Sequence, residues 1–251
     1  TSWSDANNWL DGVIPGPADE VYIYGDHSIV IDENVSLSSI YIYDNVSLTV
    51  ESTGALALTE GDGLSLYDNA SFTANGDVGI NSGDDGIYII GNSSVTINSG
   101  ANVVIIYADE DGIDMEDYGM LTVNGSLDIL NTGDEDGIEM DDDTQLTNNG
   151  DIGILNAEEE GINIDDDVVF VNAGVLTILA AGADCIDLDD SDSVFDNYGS
   201  LQLINSSNEG LEVDDGVFTN HQSGSITIQG ASGNGLQLES GADFYNNGYV
   251  G

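Results

Sequence analysis

The sequence contains no lysine and no arginine among its 251 residues, whereas it holds 48 aspartates and glutamates, and its formal net charge is −48. Binding to nucleic acid or to an anionic membrane surface depends on lysine and arginine, so both classes of function are excluded. No carboxylate can form a salt bridge with either residue. Each must therefore be solvated, hydrogen-bonded, protonated or bound to a cation.

Other residue types are scarce as well. The single cysteine, Cys185, cannot form an intrachain disulfide, so cysteine usage does not indicate a redox compartment. No apolar run approaches the ~20 residues that a membrane-spanning helix needs. The chain opens with Thr1 and shows no signal peptide, from which we expect a processed mature chain.

A repeated six-residue segment dominates what remains. It reads Gly-Ile-Asp-Met-Glu-Asp over 112–117, and close copies follow at 137–142, 161–166, 185–190 and 210–215. Apolar and polar residues alternate in each copy, which is typical of a half-buried β-strand. Because 40% of the residues are hydrophobic and periodic, the high charge does not indicate disorder.

Three columns of apolar residues recur every 22 to 26 residues. The first is Ile40, Leu64, Ile87, Ile113, Ile138, Ile162, Ile186, Leu211 and Leu236; the second is Leu48, Phe72, Val95, Leu121, Leu146, Phe170, Phe195, Phe218 and Phe244; the third is Leu56, Val78, Val103, Leu127, Ile152, Leu176, Leu201, Ile226 and Val250. Three short strands per repeat, separated by tight Gly, Asn and Asp corners, predict an all-β parallel β-helix of about ten coils of 24–25 residues. A leucine-rich horseshoe has a similar repeat length, but its Leu/Asn consensus and helical segment are missing.

Residues 1–20 differ from the repeats and are predicted to form an N-terminal cap on a solenoid of residues 21–251. They hold both tryptophans, Trp3 and Trp9, and both prolines, Pro15 and Pro17. Large aromatics beside a proline turn suit a segment that covers the end of a stack. The alternative is an ordinary irregular N-terminal segment.

One asparagine per coil stands two residues after the second column, and five successive coils show it. These are Asn148, Asn172, Asn197, Asn220 and Asn246. Equivalent positions in adjacent coils lie ~4.8 Å apart, so a stack of amides can hydrogen-bond along the axis. We predict a structural ladder at a corner.

Acidic residues also stack in this way at four positions of the repeat. We call each set a file, meaning the residues that occupy the same position in successive coils. They stand two residues before, and one, three and four residues after, the first column. The candidate ligands are Asp85, Asp111, Asp114, Glu116, Asp117, Asp136, Glu139, Asp141, Asp142, Glu160, Asp165, Asp166, Asp184, Asp187, Asp189, Asp190, Glu209, Glu212, Asp214 and Asp215.

These files oppose folding unless a cation neutralises them. Two unit charges ~4.8 Å apart repel by about 0.9 kcal/mol in water and by about 3.5 kcal/mol at an effective dielectric constant near 20. Calcium accepts about six to eight oxygens in a forgiving geometry, whereas magnesium demands a tighter octahedron. Zinc and copper are disfavoured because His27, His221 and Cys185 are far apart in sequence. The sequence therefore predicts Ca²⁺ sites; the alternative is a solvated acidic face.

Catalysis is not expected. An enzyme acting on an acidic sugar normally uses arginine or lysine, and neither is present. A catalytic carboxylate pair should also be an exception to the repeat, and the acidic residues are instead repetitive. Cys185 occupies a slot that is glycine in other coils, which indicates packing rather than reactivity.

The opening residues Trp3-Ser-Asp-Ala-Asn-Asn-Trp9, Gly12-Val-Ile-Pro15 and Asp19-Glu-Val-Tyr-Ile23 follow a pattern of a tryptophan pair, a proline turn and an acidic strand start. This pattern resembles the start of many secreted bacterial β-helix surface proteins. The resemblance implies a right-handed helix and an extracellular adhesin, matrix component or passenger region without catalytic activity. The acidic solenoid is also similar in logic to calcium-dependent RTX-type repeats, although it lacks their nonapeptide.

We therefore expect a calcium-stabilised extracellular rod that assembles head to tail into a surface or matrix filament. The last residues fill the second column and begin the third, which would leave strand edges open, and Trp3 and Trp9 would supply the complementary surface. The alternatives are a monomeric calcium-dependent adhesin or glycan-binding passenger region and, third, a polysaccharide-active enzyme.

Overall fold

The chain folds into three long parallel sheets that wind around one core. Within residues 1–239 and 241–251, which the computed structural model describes, thirty short strands form three ten-stranded sheets. Each strand pairs with the strands three places before and after it in chain order. This arrangement confirms the parallel β-helix with three strands per coil, while the right hand of the helix stays a prediction.

The strands of each sheet follow one another along the axis. The first sheet contains β1 (Glu20–Ile23), β4 (Ser39–Ile42), β7 (Leu64–Leu66), β10 (Ile87–Ile89), β13 (Ile113–Met115), β16 (Ile138–Met140), β19 (Ile162–Ile164), β22 (Ile186–Leu188), β25 (Leu211–Val213) and β28 (Leu236–Leu238). The second contains β2 (Ser28–Ile31), β5 (Ser47–Val50), β8 (Ser71–Ala74), β11 (Ser94–Ile97), β14 (Met120–Val123), β17 (Gln145–Asn148), β20 (Val169–Asn172), β23 (Val194–Asn197), β26 (Val217–Asn220) and β29 (Asp243–Asn246). The third contains β3 (Asn34–Leu37), β6 (Ala55–Leu58), β9 (Asp77–Asn81), β12 (Asn102–Tyr107), β15 (Ser126–Ile129), β18 (Asp151–Leu155), β21 (Val175–Leu179), β24 (Ser200–Ile204), β27 (Ser225–Gln229) and β30 (Tyr249–Val250).

The core is a stack of like side chains. Alternate residues of each strand point inward, and Ile113 pairs in register with Ile138 of the next coil. In the second column the rings of Phe170 and Phe195 stack at 4.4 Å, and those of Phe195 and Phe218 stack at 4.8 Å. Burial of these rings, together with that of the aliphatic residues of all three columns, is the main favourable contribution to folding.

The recurrent glycine before the first column is required by close packing. A Cβ atom at Gly161 would lie 2.4 Å from the Cγ2 methyl of Ile178, and the other coils show the same approach. Cys185 takes this slot in one coil, where the corresponding core residue is Leu203. Leucine has no methyl branch on Cβ, which leaves room for the fully buried cysteine.

The asparagine ladder is confirmed. The side-chain amide of Asn148 donates to Oδ1 of Asn172 at 2.9 Å, and Asn172 donates to Oδ1 of Asn197 at 2.8 Å. The same file continues through Asn220 to Asn246. Each amide also donates to a carbonyl of the following corner, as Asn172 does to the carbonyl oxygen of Ser200 at 3.3 Å. The ladder therefore satisfies corner carbonyls as well as itself.

The N-terminal segment covers the first coil. It contains two single-turn 3₁₀ helices, Ala6–Asn8 and Leu10–Gly12. Trp3 is only 1% exposed, its ring meets Trp9 edge-on at 4.5 Å, and its backbone N–H donates to the carbonyl oxygen of Val30 at 2.8 Å. Because Trp3 is used in this way, it is not available as the head-to-tail surface that the sequence suggested.

We predict that Asn172→Ala lowers the free energy of unfolding by about 2–4 kcal/mol, because it leaves one N–H of the buried Asn148 amide and Oδ1 of Asn197 without a partner, while Asn148 keeps its bond to the carbonyl oxygen of Val175. Urea unfolding followed by circular dichroism measures the loss. The matched control is Asn149→Ala, which removes an exposed amide and should change stability by less than about 0.5 kcal/mol. Equal losses in the two variants would contradict a role for the ladder.

Candidate metal centre

The acids two residues before the first column form the most buried file, which we call the entry file. Asp111 is 2% exposed, Asp136 6%, Asp184 3% and Glu209 6%, and two further members, Asp85 and Glu160, are half-buried. They lie in the turn that leads into each strand of the first sheet. The alternative of a solvated acidic face therefore does not describe this file.

Several entry-file carboxylates each use one oxygen to accept a hydrogen bond from the backbone of the next coil. Oδ1 of Asp85 accepts from the backbone N–H of Asp111 at 3.2 Å, and Oδ1 of Asp111 accepts from that of Asp136 at 2.7 Å. Oδ1 of Asp136 accepts in turn from the backbone N–H of Glu160 at 2.7 Å, and Oδ1 of Asp184 accepts from the backbone N–H of Glu209. This ladder satisfies a backbone donor at each turn and leaves the second carboxylate oxygen for another partner.

The strand file, one residue after the first column, lies on the outward side of the first sheet and is half-buried. Its acidic members are Asp114, Glu139, Asp187 and Glu212. Oδ1 of Asp114 and Oδ1 of Asp187 are buried atoms without any hydrogen-bond partner. A buried carboxylate oxygen without a partner is costly, so these atoms mark where a cation or a proton is needed.

Acids of the entry file, of the strand file and of the turns at the two ends of the strand converge into clusters of three carboxylates, whose oxygens lie within 4.8 Å of one another. Two oxygens on opposite sides of one Ca²⁺ ion lie about 4.8 Å apart, since each bond measures ~2.4 Å. Clusters of this kind are Asp85, Asp111 and Asp114; Asp111, Glu135 and Glu139; Asp136, Glu159 and Glu160; Asp141, Asp142 and Asp166; and Glu160, Asp184 and Asp187.

Glu135 and Glu159 were missed by sequence reasoning. They stand three residues before the first column and are exposed, yet each completes a cluster. A signal was present, because Asp84 and Glu110 occupy the same position in the two preceding coils. The sequence pattern alone does not show that the two adjacent acidic positions of each turn act separately. Their placement beside the strand shows that both contribute carboxylate oxygens to the clusters.

The two acidic files that stand three and four residues after the first column are more exposed to solvent than the entry and strand files. Asp117 and Asp142 adopt left-handed backbone angles, with φ of 46° and 50°, and are exposed in the turn that ends each strand. Short polar side chains tolerate this conformation, which gives these acids a structural role. The predicted ligands in these two files are Glu116, Asp117, Asp141, Asp142, Asp165, Asp166, Asp189, Asp190, Asp214 and Asp215.

Side-chain amides bind the carboxylates at the C-terminal end of the files. Oε1 of Glu209 accepts from the side-chain amide of Asn234 at 3.2 Å, and the amide of Gln237 donates to Glu212. Asn234 and Gln237 occupy the entry-file and strand-file positions of the last coil. Glu209 and Glu212, predicted as metal ligands, therefore already hold neutral donors.

Burial raises the pKa of the clustered carboxyls strongly. It raises the pKa of Asp111 to about 10, that of Asp136 to about 9 and that of Asp114 to about 8. Neighbouring carboxylates add to the effect, as Glu139 does at Asp111. Without a cation these groups hold protons at neutral pH, and a bound cation would displace the protons.

No protein-family model, curated protein or solved structure matches the chain. No helix among residues 1–239 and 241–251 combines the length and the apolar character that crossing a bilayer requires. The fold and the site together define a parallel β-solenoid with partly buried acidic clusters along one of its three sheets.

In the presence of a chelator, we predict that the midpoint of thermal unfolding falls as the pH rises from about 5 to about 9. Asp111, Asp114 and Asp136 have folded pKa values far above their ordinary value of 3.8, so the folded state binds more protons than the unfolded state. This contribution to stability is complete below about pH 4 and is lost as the pH rises through about 8–10.

Thermal scans by circular dichroism across this pH range at constant ionic strength test the point. Asp111→Asn is the control: it keeps the acceptor for the Asp136 amide but cannot titrate, so its midpoint should fall less steeply. A midpoint that rises with pH in the unsubstituted chain would overturn the assignment of these groups as proton carriers.

Proposed function

We propose that the chain is a non-catalytic structural rod of the cell exterior whose acidic clusters bind calcium. The observation that carries this proposal is the buried, unpartnered Oδ1 of Asp114, which lies in a cluster with Asp85 and Asp111. Three carboxylates converge there, and the chain has no lysine or arginine to neutralise them. A cation from solution is the remaining partner that keeps them ionised.

The donor set favours calcium over other metals. The clusters offer carboxylate oxygens from a corner and a strand, with backbone carbonyls nearby, and calcium tolerates such irregular shells. Nitrogen and sulfur ligands are not at hand, because His221 bonds to Asp196 at 2.8 Å and Cys185 is buried in the core. Zinc and copper prefer those ligands.

The repetition of the site supports a structural rather than a catalytic role. Equivalent clusters recur at successive coil interfaces, so each ion would join two or more coils, as Asp85, Asp111 and Asp114 span two. Weak sites of this kind are typical of extracellular modules, which bind calcium with dissociation constants of roughly 0.1–1 mM. An extracellular location would therefore keep the sites occupied.

Head-to-tail assembly into a filament is the second part of the proposal. Leu236, Leu238 and Val250 of the last coil are 37%, 48% and 45% exposed, and β28 to β30 pair on one side only. At the other end Leu10 and Val13 are 91% and 65% exposed. A second copy would bury these apolar residues and would pair with the open strands.

We predict that millimolar calcium raises the midpoint of thermal unfolding at pH 8 by several degrees more than magnesium or sodium at matched ionic strength. Ligands that bind only the folded state stabilise it. In Asp111→Asn the calcium response should shrink, while the midpoint in chelator should hold or rise, because the amide is neutral without taking up a proton and the acceptor for the backbone N–H of Asp136 stays.

Asp77→Asn is the matched control, since Asp77 is an exposed acid outside the clusters described above and its replacement removes the same charge. It should keep the full calcium response. If sodium at matched ionic strength gives the same shift as calcium, the clusters are merely screened and the metal proposal is wrong.

We predict that the chain forms rods longer than one molecule at high concentration, and that Leu238→Asp shortens them to single molecules. Analytical ultracentrifugation and negative-stain electron microscopy measure the lengths. Val169→Asp, which places an acid on the flank of the rod at a 38% exposed position, should leave assembly unchanged. Single molecules at every concentration would refute the filament and favour the monomeric calcium-dependent adhesin or glycan-binding passenger region.

A further inference from the structure

The strand file is mainly aromatic in the first four coils, before its acidic members begin at Asp114. In the first four coils its members are Tyr22, Tyr41, Ser65 and Tyr88, which are register partners on β1, β4, β7 and β10. The rings of Tyr22 and Tyr41 stack at 4.5 Å with only 7° between their planes. Ser65 interrupts this aromatic file between Tyr41 and Tyr88.

A second aromatic file runs beside the first, two residues further along each strand. Tyr43 stacks on Tyr24 at 4.5 Å and on Tyr67 at 4.8 Å. Tyr67 then meets Tyr88 edge-on, with ring centroids 5.7 Å apart and 66° between the planes. The two files therefore close one side of the gap at Ser65 with aromatic rings.

The gap is a cavity of about 310 Å³, which we call the serine notch, lined by Tyr41, Ser65, Tyr67 and Tyr88 together with carboxylates. Tyr22 stacks on one face of the Tyr41 ring. Tyr41 is 9% exposed and Ser65 3% exposed, so both lie at the floor of the notch, whereas Tyr67 and Tyr88 are half-buried. Equivalent positions two coils apart are separated by roughly 9.6 Å, so Tyr41 and Tyr88 leave space for one small group.

The rings beside the notch are held in place by their hydroxyl groups. The hydroxyl of Tyr41 donates to Asp62, and that of Tyr88 donates to Oε2 of Glu116 at 2.9 Å. The hydroxyl hydrogens of Tyr41 and Tyr88 are thereby used, and the notch offers ring faces and carboxylate oxygens beside the hydroxyl-bearing side chains of Ser65 and Tyr67. Asp62, Asp84 and Glu110 are among the carboxylates that line it.

We propose that the serine notch binds an organic cation, an ammonium or guanidinium group. Such a group is attracted to the negative face of an aromatic ring and donates hydrogen bonds to carboxylates, so it matches both halves of the lining. A metal ion would bind the carboxylate oxygens but would not need the faces of the aromatic rings. A neutral sugar would stack on a ring and leave the carboxylates without a counter-charge.

The notch and the calcium clusters overlap in part. Asp85 and Asp114 line the notch and also belong to the first cluster. Calcium there would reduce the negative charge at one end, but the ring of Tyr41 and the carboxylate of Asp62 would still be present. Binding of an organic cation should therefore weaken with calcium and persist, and it does not depend on the proposed function.

The test is isothermal titration calorimetry of the full chain with n-butylammonium, n-butanol and methyl glucoside, at about physiological ionic strength, with calcium and with chelator. We expect n-butylammonium to bind and the two neutral probes not to bind. Spermidine and a lysine-containing tripeptide, compared next, distinguish a free polyamine from a side chain of another protein as the source of the cation.

Ser65→Tyr is the decisive variant, because it continues the aromatic file and fills the notch without changing the net charge. It should weaken n-butylammonium binding at least about fivefold, the loss expected for one cation–aromatic contact. Non-specific attraction to a chain of charge −48 would be unaffected. Ser200→Tyr, at a half-buried outward position on β24, is the matched control and should bind like the unsubstituted chain.

Each other result overturns the proposal. Equal binding of n-butylammonium and n-butanol would show that charge plays no part. Unchanged binding in a Ser65→Tyr variant whose circular dichroism spectrum is native would place the cation elsewhere on the acidic surface. Binding of methyl glucoside alone, lost in Ser65→Tyr, would make the notch a glycan site.

Discussion

The whole structure depends on one constraint: parallel strand pairing places equivalent residues of successive coils ~4.8 Å apart. Every choice of side chain is therefore repeated against a copy of itself. Asparagine, phenylalanine and tyrosine gain from this repetition, because amides donate along the file and rings stack, as Phe170 and Phe195 do at 4.4 Å. Carboxylates lose from it, because like charges repel at this distance and the chain offers no lysine or arginine.

The molecule responds to the repulsion in three different ways along the same files. The entry-file carboxylates accept a backbone hydrogen bond from the next coil, as Asp111 does from Asp136 at 2.7 Å. Burial raises the pKa of Asp111 and Asp136, so a proton can neutralise each where no metal is bound. In the last coil Asn234 supplies an amide instead. Protons, amides and cations are thus alternative solutions to one electrostatic problem, and calcium would compete with protons for the same oxygens.

Departures from the repeat carry as much information as the repeat itself. Cys185 replaces a glycine in the coil where Leu203 stands between Ile178 and Ile228, so that a missing methyl branch makes space for a side chain. Ser65 stands between Tyr41 and Tyr88 in an aromatic file, and there the missing ring leaves a cavity instead. The exception at Cys185 preserves the packing of the core. The exception at Ser65 leaves a cavity whose lining of rings and carboxylates is specific to these coils.

The sequence by itself determined the solenoid, its three columns and the asparagine ladder, because a period of about two dozen residues fixes which residues meet along the axis. It also placed most of the acids correctly relative to one another. Only the tertiary structure decided that Asp111 is buried, that the exposed Glu135 completes a cluster, and that Ser65 opens a cavity. Periodicity specifies the position along the axis and the direction in or out of the core. It does not specify how each turn folds beside the sheet, and that folding sets burial, cluster geometry and cavity shape.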